Sequence, residues 1–269
     1  MKKAMIRKPI GRIREALPNV KKITNGEYLE VHEWPKNGHY GRFIDNPIYF
    51  NSVRSIHKNN KNPKILILGP GIGEEVIELN KTLRGFKINP EIESLGLTNQ
   101  LTKNAKEAIK KDHSRNLALE EIDPSNPEHK ELISNLREKF DYVIAPTSVG
   151  IHTRYSAYNG FLCALALKPK GEARITILKE NFSQDHIDLY KHQLETKDAY
   201  EYKEREVLKI QNELRLALRL KAQTKTMVPT IYRMLDSYFK KDMRKQYTVE
   251  VQSDDYDMRY SILYIKRNY

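Results

Sequence analysis

From Lys64 onward, short apolar runs alternate with longer segments whose apolar residues recur every three to four positions. The short runs fit strands buried on both faces, and the longer ones fit amphipathic helices packed between them. "KILIL" (64–68) predicts a first strand and "EEVIELNKTL" (74–83) a helix, followed by a strand at "IESLGL" (92–97) and a helix over "NQLTKNAKEAIKK" (99–111). "LALEEI" (117–122) and "FDYVIA" (140–145) predict strands three and four, separated by a helix in "PEHKELISNLREK" (127–139). A helix around "YNGFLCALAL" (158–167) leads into "LKPKGEARITIL" (167–178), a Pro/Gly turn and fifth strand. Strands joined by helices in this order predict an α/β protein with a mostly parallel sheet.

The flanks read differently. "EYLEVHEWPKNGHYGRFIDNPIYFNSV" (27–53) is too rich in aromatic and turn residues for a disordered arm and predicts a lid or cap, with "HKNNKNP" (57–63) as a polar linker. Beyond the fifth strand, "ELRLALRL" places leucine at every even position from Leu214 to Leu220. That period of two predicts a strand, with "EYKEREVLKI" (201–210) as its hairpin partner. "VPTIYRMLDSYFKKDMRK" (228–245) predicts a helix; "YTVEVQ" (247–252) and "RYSILYIKR" (259–267), around the acidic "SDDYDM" (253–258), predict a terminal antiparallel hairpin. The expected organisation is a basic arm and cap over 1–60 and one domain over 61–269, with a substrate-covering insertion at 181–225.

Charge adds a possible partner. The chain has 269 residues and a net charge of +12, and the first 63 residues hold 13 Lys/Arg against 5 Asp/Glu. Such a segment suits RNA, another polyanion or an acidic lipid face, and a solvated basic arm is the plainer reading. No apolar run approaches the ~18 residues of a membrane span, and the basic N-terminus lacks the apolar block of a secretory signal, so a cytoplasmic protein without a membrane span is expected. The single cysteine, Cys163, lies in "FLCALAL" and reads as a small buried apolar residue. His32, His39, His186 and His192 lack the spacing of a zinc helix, and no metal is expected.

The chemistry centres on "ILILGPGIGEE" (65–75). A strand that ends in Gly69-Pro70-Gly71-Ile72-Gly73 and runs into a helix lets bare backbone approach a ligand. A nicotinamide fingerprint, G-x-G-x-x-G, would need glycine where Glu74 stands, and no Gly-Lys-Ser/Thr of a triphosphate loop occurs in the chain. Dehydrogenase, kinase and ATPase chemistry are thereby disfavoured.

This segment resembles motif I of the class I S-adenosylmethionine-dependent methyltransferases. The likeness continues in order through "GLTNQLTKNAKEAI", "LEEIDPSNPE", "KFDYVIAPTSVGIHT" and "ALALKPKGEARITIL", over roughly 62–178, with the terminal hairpin fitting the family's last two strands. The resemblance implies a Rossmann-like seven-stranded sheet and S-adenosyl-L-methionine as cofactor, held by Gly69, Pro70, Gly71, Gly73, Glu74, Thr98, Asn99, Asp123 and Pro146. Asp123 would accept a hydrogen bond from the adenine amino group, or else cap the following helix; Glu74 and Glu75 would lie near the ligand's ammonium group, or complement the helix dipole.

The sequence departs from the family at Ile67, where an acidic residue is usual, and at Gly96, where a ribose-binding carboxylate usually ends strand two. Thr98, Asn99 or Gln100 would then serve the ribose. After strand four, His152 is the candidate general base for methyl transfer, and Tyr155 and Tyr158 are candidate substrate residues that fit core packing as well. "APTS" lacks the motif of amino-methylating nucleic-acid enzymes and the paired acids of aminopropyl transfer. The expected activity is a methyltransferase of unknown acceptor, a small molecule or RNA. The alternative is an inactive relative of the fold that binds nucleic acid or a protein partner.

Overall fold

The structure is a computed structural model that describes residues 47–59, 62–71, 73–96, 101–114, 122, 126–145, 156–178, 184, 187–189, 191–192, 194–195, 204–253 and 260–269. Helix α1 (Pro47–Asn59) precedes β1 (Lys64–Leu68), α2 (Glu74–Gly85), β2 (Glu91–Leu95), α3 (Lys103–Ala108) and β3 (Lys111–Asp112). Then come a short 3-10 turn (Pro127–His129), α4 (Lys130–Leu136), β4 (Phe140–Ala145), α5 (Ser156–Ala166) and β5 (Leu167–Leu178). The long helix α6 (Glu204–Phe239) and strands β6 (Tyr247–Ser253) and β7 (Tyr260–Arg267) complete the set.

The strands form one seven-stranded sheet of order β3-β2-β1-β4-β5-β7-β6. β1 through β5 run parallel, and β7 lies antiparallel between β5 and β6. This is the expected Rossmann-like sheet with its antiparallel terminal hairpin.

The pattern that predicted β1 is its burial on both faces. Leu66 and Leu68 pack with α4, α5 and the second half of α6; Ile65 and Ile67 pack with α1, α2 and α3. The face that α6 supplies is Met227, Ile231, Met234 and Leu235, spaced by three and four as a helix stripe requires. Each fully buried Leu or Ile contributes about 1.5–3 kcal/mol, so this double-sided core fixes which strand ends meet at the site.

Four sequence expectations are corrected. The paired leucines of 213–220 belong to α6, not to a hairpin, so the helix runs unbroken across the expected end of the insertion at residue 225. Glu, Leu, Arg, Ala, Lys and Gln dominate 204–225, and their helix propensity outweighs the period of two. Leu214 and Leu218, four residues apart, share one stripe of α6, where Leu218 is 46% exposed. The third strand is the two-residue β3, pairing Lys111 and Asp112 with Glu93 and Ser94 ahead of "LALEEI". There α3 stops at Ala108, β-branched Ile109 turns extended, and the Lys110 N–H bonds the Ile92 carbonyl at 2.7 Å. Of "LALEEI" only Ile122 is described, buried in the core.

The expected linker is shorter than predicted, because α1 continues to Asn59. Its residues Ile48, Tyr49 and Ile56 are core, so the end of the expected cap is an integral helix layer; the rest of the cap and the basic arm lie outside the described residues. Finally, the Pro/Gly turn of "LKPKG" is a bulge within β5. Phe140 pairs with Leu167 and Tyr142 with Glu172, so four residues of β5 oppose one of β4, with Lys170 at φ 67°. Asp141 anchors the bulge, accepting from the Lys168 ammonium at 3.2 Å and from the Lys64 N–H at 2.8 Å.

At the far edge of the sheet a buried polar cluster supports β2. Glu93 contacts His113 Nε2 at 2.6 Å and the Lys64 ammonium at 3.1 Å. Burial pushes the Glu93 carboxyl up, but the His113 and Lys64 hydrogen bonds together outweigh it and hold it below the ordinary carboxylate range. A carboxyl depressed on folding adds stability above its unfolded pKa and loses it as pH falls through the folded one. Glu93→Gln should therefore lose less of its urea midpoint than the parent between pH 6 and pH 3. An equal loss would mean that this pair does not couple folding to pH.

Candidate cofactor site

The parallel register brings Leu68, Leu95 and Ala145 to one edge, the carboxyl edge where open α/β sheets bind ligands: Leu68 is level with Leu95, and Ile67 with Ile144. From Leu68 the chain enters a turn in which all three glycines have positive φ: Gly69 at 63°, Gly71 at 55° and Gly73 at 89°. The Gly69 N–H donates to the Leu95 carbonyl at 2.8 Å, tying the turn to β2, and the Gly73 N–H donates to the Pro70 carbonyl at 2.9 Å, closing it.

The outer two of the last three positions do different work. A Cβ on Gly73 would lie 2.3 Å from the Ala105 Cβ and 3.1 Å from Leu101, so this glycine lets α3 pack against the turn. A Cβ on Gly71 would meet nothing within 4 Å. Packing therefore explains Gly73, whereas Gly71 borders open space beside bare backbone. Gly73 also occupies the N-cap of α2 and brings no side-chain cap, leaving the first amides of that helix aimed past the turn. A ligand with a carboxylate or hydroxyl groups fits such a cradle.

The two carboxylates that follow separate in role. Glu74 is exposed in the first turn of α2, next to the glycine turn, a place that suits the helix dipole and a ligand's ammonium group alike. Glu75 accepts a hydrogen bond from the Tyr49 hydroxyl at 2.9 Å, which fastens α1 to the start of α2. Burial raises the Glu75 carboxyl above its ordinary range; the Tyr49 hydrogen bond opposes this, and Glu78 and Glu74 add to it. Sequence reading missed this contact because Tyr49 lay in the presumed cap. Its one signal was a short apolar run, Ile48-Tyr49-Phe50, inside the presumed cap.

β2 does not itself end in a carboxylate; the described one beside its end is Asp112, on β3. The Gly96 N–H donates to Ser114 Oγ at 2.8 Å, and Asp112 Oδ1 accepts from the Ser94 and Ser114 hydroxyls, at 2.9 and 2.7 Å. Asp112 is thus engaged in bracing β2 against β3. Thr98, Asn99, Asp123, Pro146, His152 and Tyr155 lie outside the described residues. Tyr158 is 2% exposed, and its hydroxyl donates to the Ile122 carbonyl. Cys163 is fully buried, and burial pushes its thiol far above the ordinary range, consistent with a packing residue. Among the described residues no group of three or more His, Cys, Asp or Glu could hold a metal ion, and no helix is long and apolar enough to cross a membrane.

No protein-family model matches the sequence, and no curated protein matches it. Solved structures do match the fold. The plantazolicin methyltransferase BamL, in complex with a triazolic desmethylPZN analogue and SAH, superposes with a TM-score of 0.55 at 12% identity over 100% of both chains. The plantazolicin methyltransferase BpumL, in a complex of the same kind, superposes with a TM-score of 0.53 at 8% identity over 98% of this chain and 100% of its own. The fold is that of the class I S-adenosylmethionine-dependent methyltransferases, as the ordered motifs implied.

Proposed function

We propose that the protein is an S-adenosylmethionine-dependent methyltransferase. The observation that carries this reading is the turn at Gly69–Gly73, open beside Gly71 at the carboxyl edge of a methyltransferase-type sheet. The sulfonium of the bound donor would supply an activated methyl group. The chain's part is to hold the donor by backbone at Gly69, Pro70, Gly71 and Gly73 and to align an acceptor beyond β4, so that proximity rather than covalent catalysis lowers the barrier. Thr98, Asn99, Asp123 and Pro146 would complete the donor site, and Tyr155 would face the acceptor.

His152 follows β4 by seven residues and is our candidate for the group that takes a proton from the acceptor. His152→Ala should leave donor affinity nearly unchanged and slow methylation by roughly 100-fold, the usual contribution of a positioned base. A variant with full turnover and the parent's pH profile removes that role from His152.

The acceptor is a small molecule or RNA; the superposed plantazolicin methyltransferases hold a triazolic desmethylPZN analogue, which adds molecules of that kind as a third class to screen. The rival reading, a non-catalytic protein of the same fold, draws on Ile67 and Gly96, where the family usually carries acids. Calorimetric titration with S-adenosylmethionine and its demethylated product separates the two. Micromolar binding supports the enzyme, and a folded protein silent at millimolar ligand supports the rival.

A further inference from the structure

The net charge has an address. In a parallel sheet the amino edge collects the helix C-termini and the strand entries, and here the antiparallel pair adds the start of β6 and the end of β7. This rim comprises 57–59, 62–64, 84–91, 110–111, 137–141, 168–172, 240–247 and 266–269. It holds sixteen Lys/Arg against five Asp/Glu, a second concentration of positive charge that shares only Lys58 with the thirteen basic residues of the first 63. It lies one strand length, about 15 Å, from the glycine turn.

Most of the carboxylates there are taken up by cations. Glu91 meets Lys64 at 2.9 Å and Lys110 at 2.6 Å, Glu138 meets Arg267 at 3.1 Å and Arg137 at 3.7 Å, and Asp141 meets Lys168 at 3.2 Å. Those pairs tie β1, β2 and the entry of β3 together and link the end of β7 to the entry of β4, and they leave a surplus of exposed positive charge, including Lys58, Lys87, Lys111, Lys170 and Lys241. Helix dipoles account for part of it, since a cation is favoured at a helix C-terminus. They do not account for Lys170, Lys245 and Lys266, which stand at strand entries and exits.

The backbone carries an independent mark. Among the described residues, the non-glycine positions with positive φ are Lys87 (60°), Glu138 (56°), Lys170 (67°) and Lys240 (56°), and all four lie on this rim. Glycine is the default in that conformation, and a Cβ is disfavoured there. Three times the chain sets a lysine in it, and the fourth residue is the acid shared by two arginines. Three of the four follow a helix end and Lys170 lies in the β5 bulge, places where the backbone itself calls for this conformation and glycine would serve; a lysine kept there three times points to a use for the side chain. The large exposed aromatics among the described residues, Phe86 at 52% and Tyr269 at 74%, sit on the same rim, Phe86 edge-on to His57 at 5.0 Å.

From this charge, strain and aromatic exposure we infer that the amino edge of the sheet is a binding surface for single-stranded nucleic acid, separate from both the cofactor edge and the basic arm. Six inter-strand steps of about 4.8 Å give a belt of about 29 Å. Lysines spaced along such a length match a phosphodiester backbone, and exposed rings offer base stacking. The inference stands whether or not the protein transfers methyl groups.

The test uses the full chain and a 20-nucleotide single-stranded RNA. The triple variant Lys87→Gly, Lys170→Gly, Lys240→Gly relieves three strained positions, so its thermal midpoint should equal or exceed the parent's. Its RNA affinity should fall at least about tenfold, with the slope of log affinity against log salt shallower by about 2, from ~0.7 per lost phosphate contact. Titration with S-adenosylhomocysteine should be unchanged. A control triple at exposed mid-helix positions, Lys81→Gln, Lys106→Gln and Arg233→Gln, should lose less than about threefold if the rim, rather than overall charge, is the determinant. The inference is overturned if the parent does not bind the RNA at low salt, if the glycine triple binds like the parent, or if the control loses as much. It is also overturned if the parent binds phosphatidylserine vesicles but not RNA, which would make the rim a membrane surface.

Discussion

Gly71→Asp should abolish binding of S-adenosylmethionine while leaving the fold standing. The position has open space around its Cα and a φ of 55°, a conformation that aspartate adopts more readily than other residues with a Cβ. The new carboxylate would project where we place the ligand and face the donor's own carboxylate. At ~4 Å and an effective dielectric of ~20, that repulsion is about 4 kcal/mol, or roughly a thousandfold in affinity. Isothermal titration with S-adenosylhomocysteine measures it directly, and circular dichroism checks folding. A folded variant with the parent's dissociation constant would show that the ligand does not lie beside Gly71.

The neighbouring substitution should fail for the opposite reason. Gly73→Ala puts a methyl group 2.3 Å from the Ala105 Cβ, and α3 must move to admit it. Overpacking of that kind costs about 1–3 kcal/mol, and a φ of 89° costs a residue with a Cβ about 1 kcal/mol more. A total of about 2–4 kcal/mol would lower the thermal midpoint by roughly 5–15 °C at 2–4 °C per kcal/mol. A midpoint within 2 °C of the parent's would mean that α3 yields freely and that the close approach does not hold it. Together the two variants separate a glycine facing open space from a glycine facing the protein, a distinction that spacing alone does not reveal.

That distinction also marks how far the sequence could be read. The strands β1 and β4 were legible because each is an apolar run buried on two faces, β2 and β5 because short apolar stretches recur between helix and turn signals, and the β6–β7 hairpin because its two runs flank one acidic loop. α6 was misread because leucines two apart satisfy a strand face as well as two sides of a helix, and only propensity argues for the latter. β3 was not legible because two residues, Lys111 and Asp112, carry no periodicity; what defines them is pairing with β2, and the strand expected at 117–122 lies, but for Ile122, outside the described residues. The glycine turn was legible as a motif, yet the partner of Glu75 was not. Tyr49 reaches it across 26 positions, and no local pattern encodes a contact between a helix before the sheet and one after its first strand.

The placement of β7 bears on how the chain is made. β5 can be complete at Leu178, but its outer neighbour begins only at Tyr260, and β6, although translated first, pairs with β7 rather than with β5. During synthesis, β5 therefore waits about eighty residues with its amide edge unmet, its inner face carrying Ala173, Ile175 and Ile177. An unmet edge on an apolar strand is a template for pairing between nascent chains. Glu172 and Arg174 alternate along the opposite face of that strand, 3.0 Å apart at their charged atoms, so the waiting strand is not apolar on both faces.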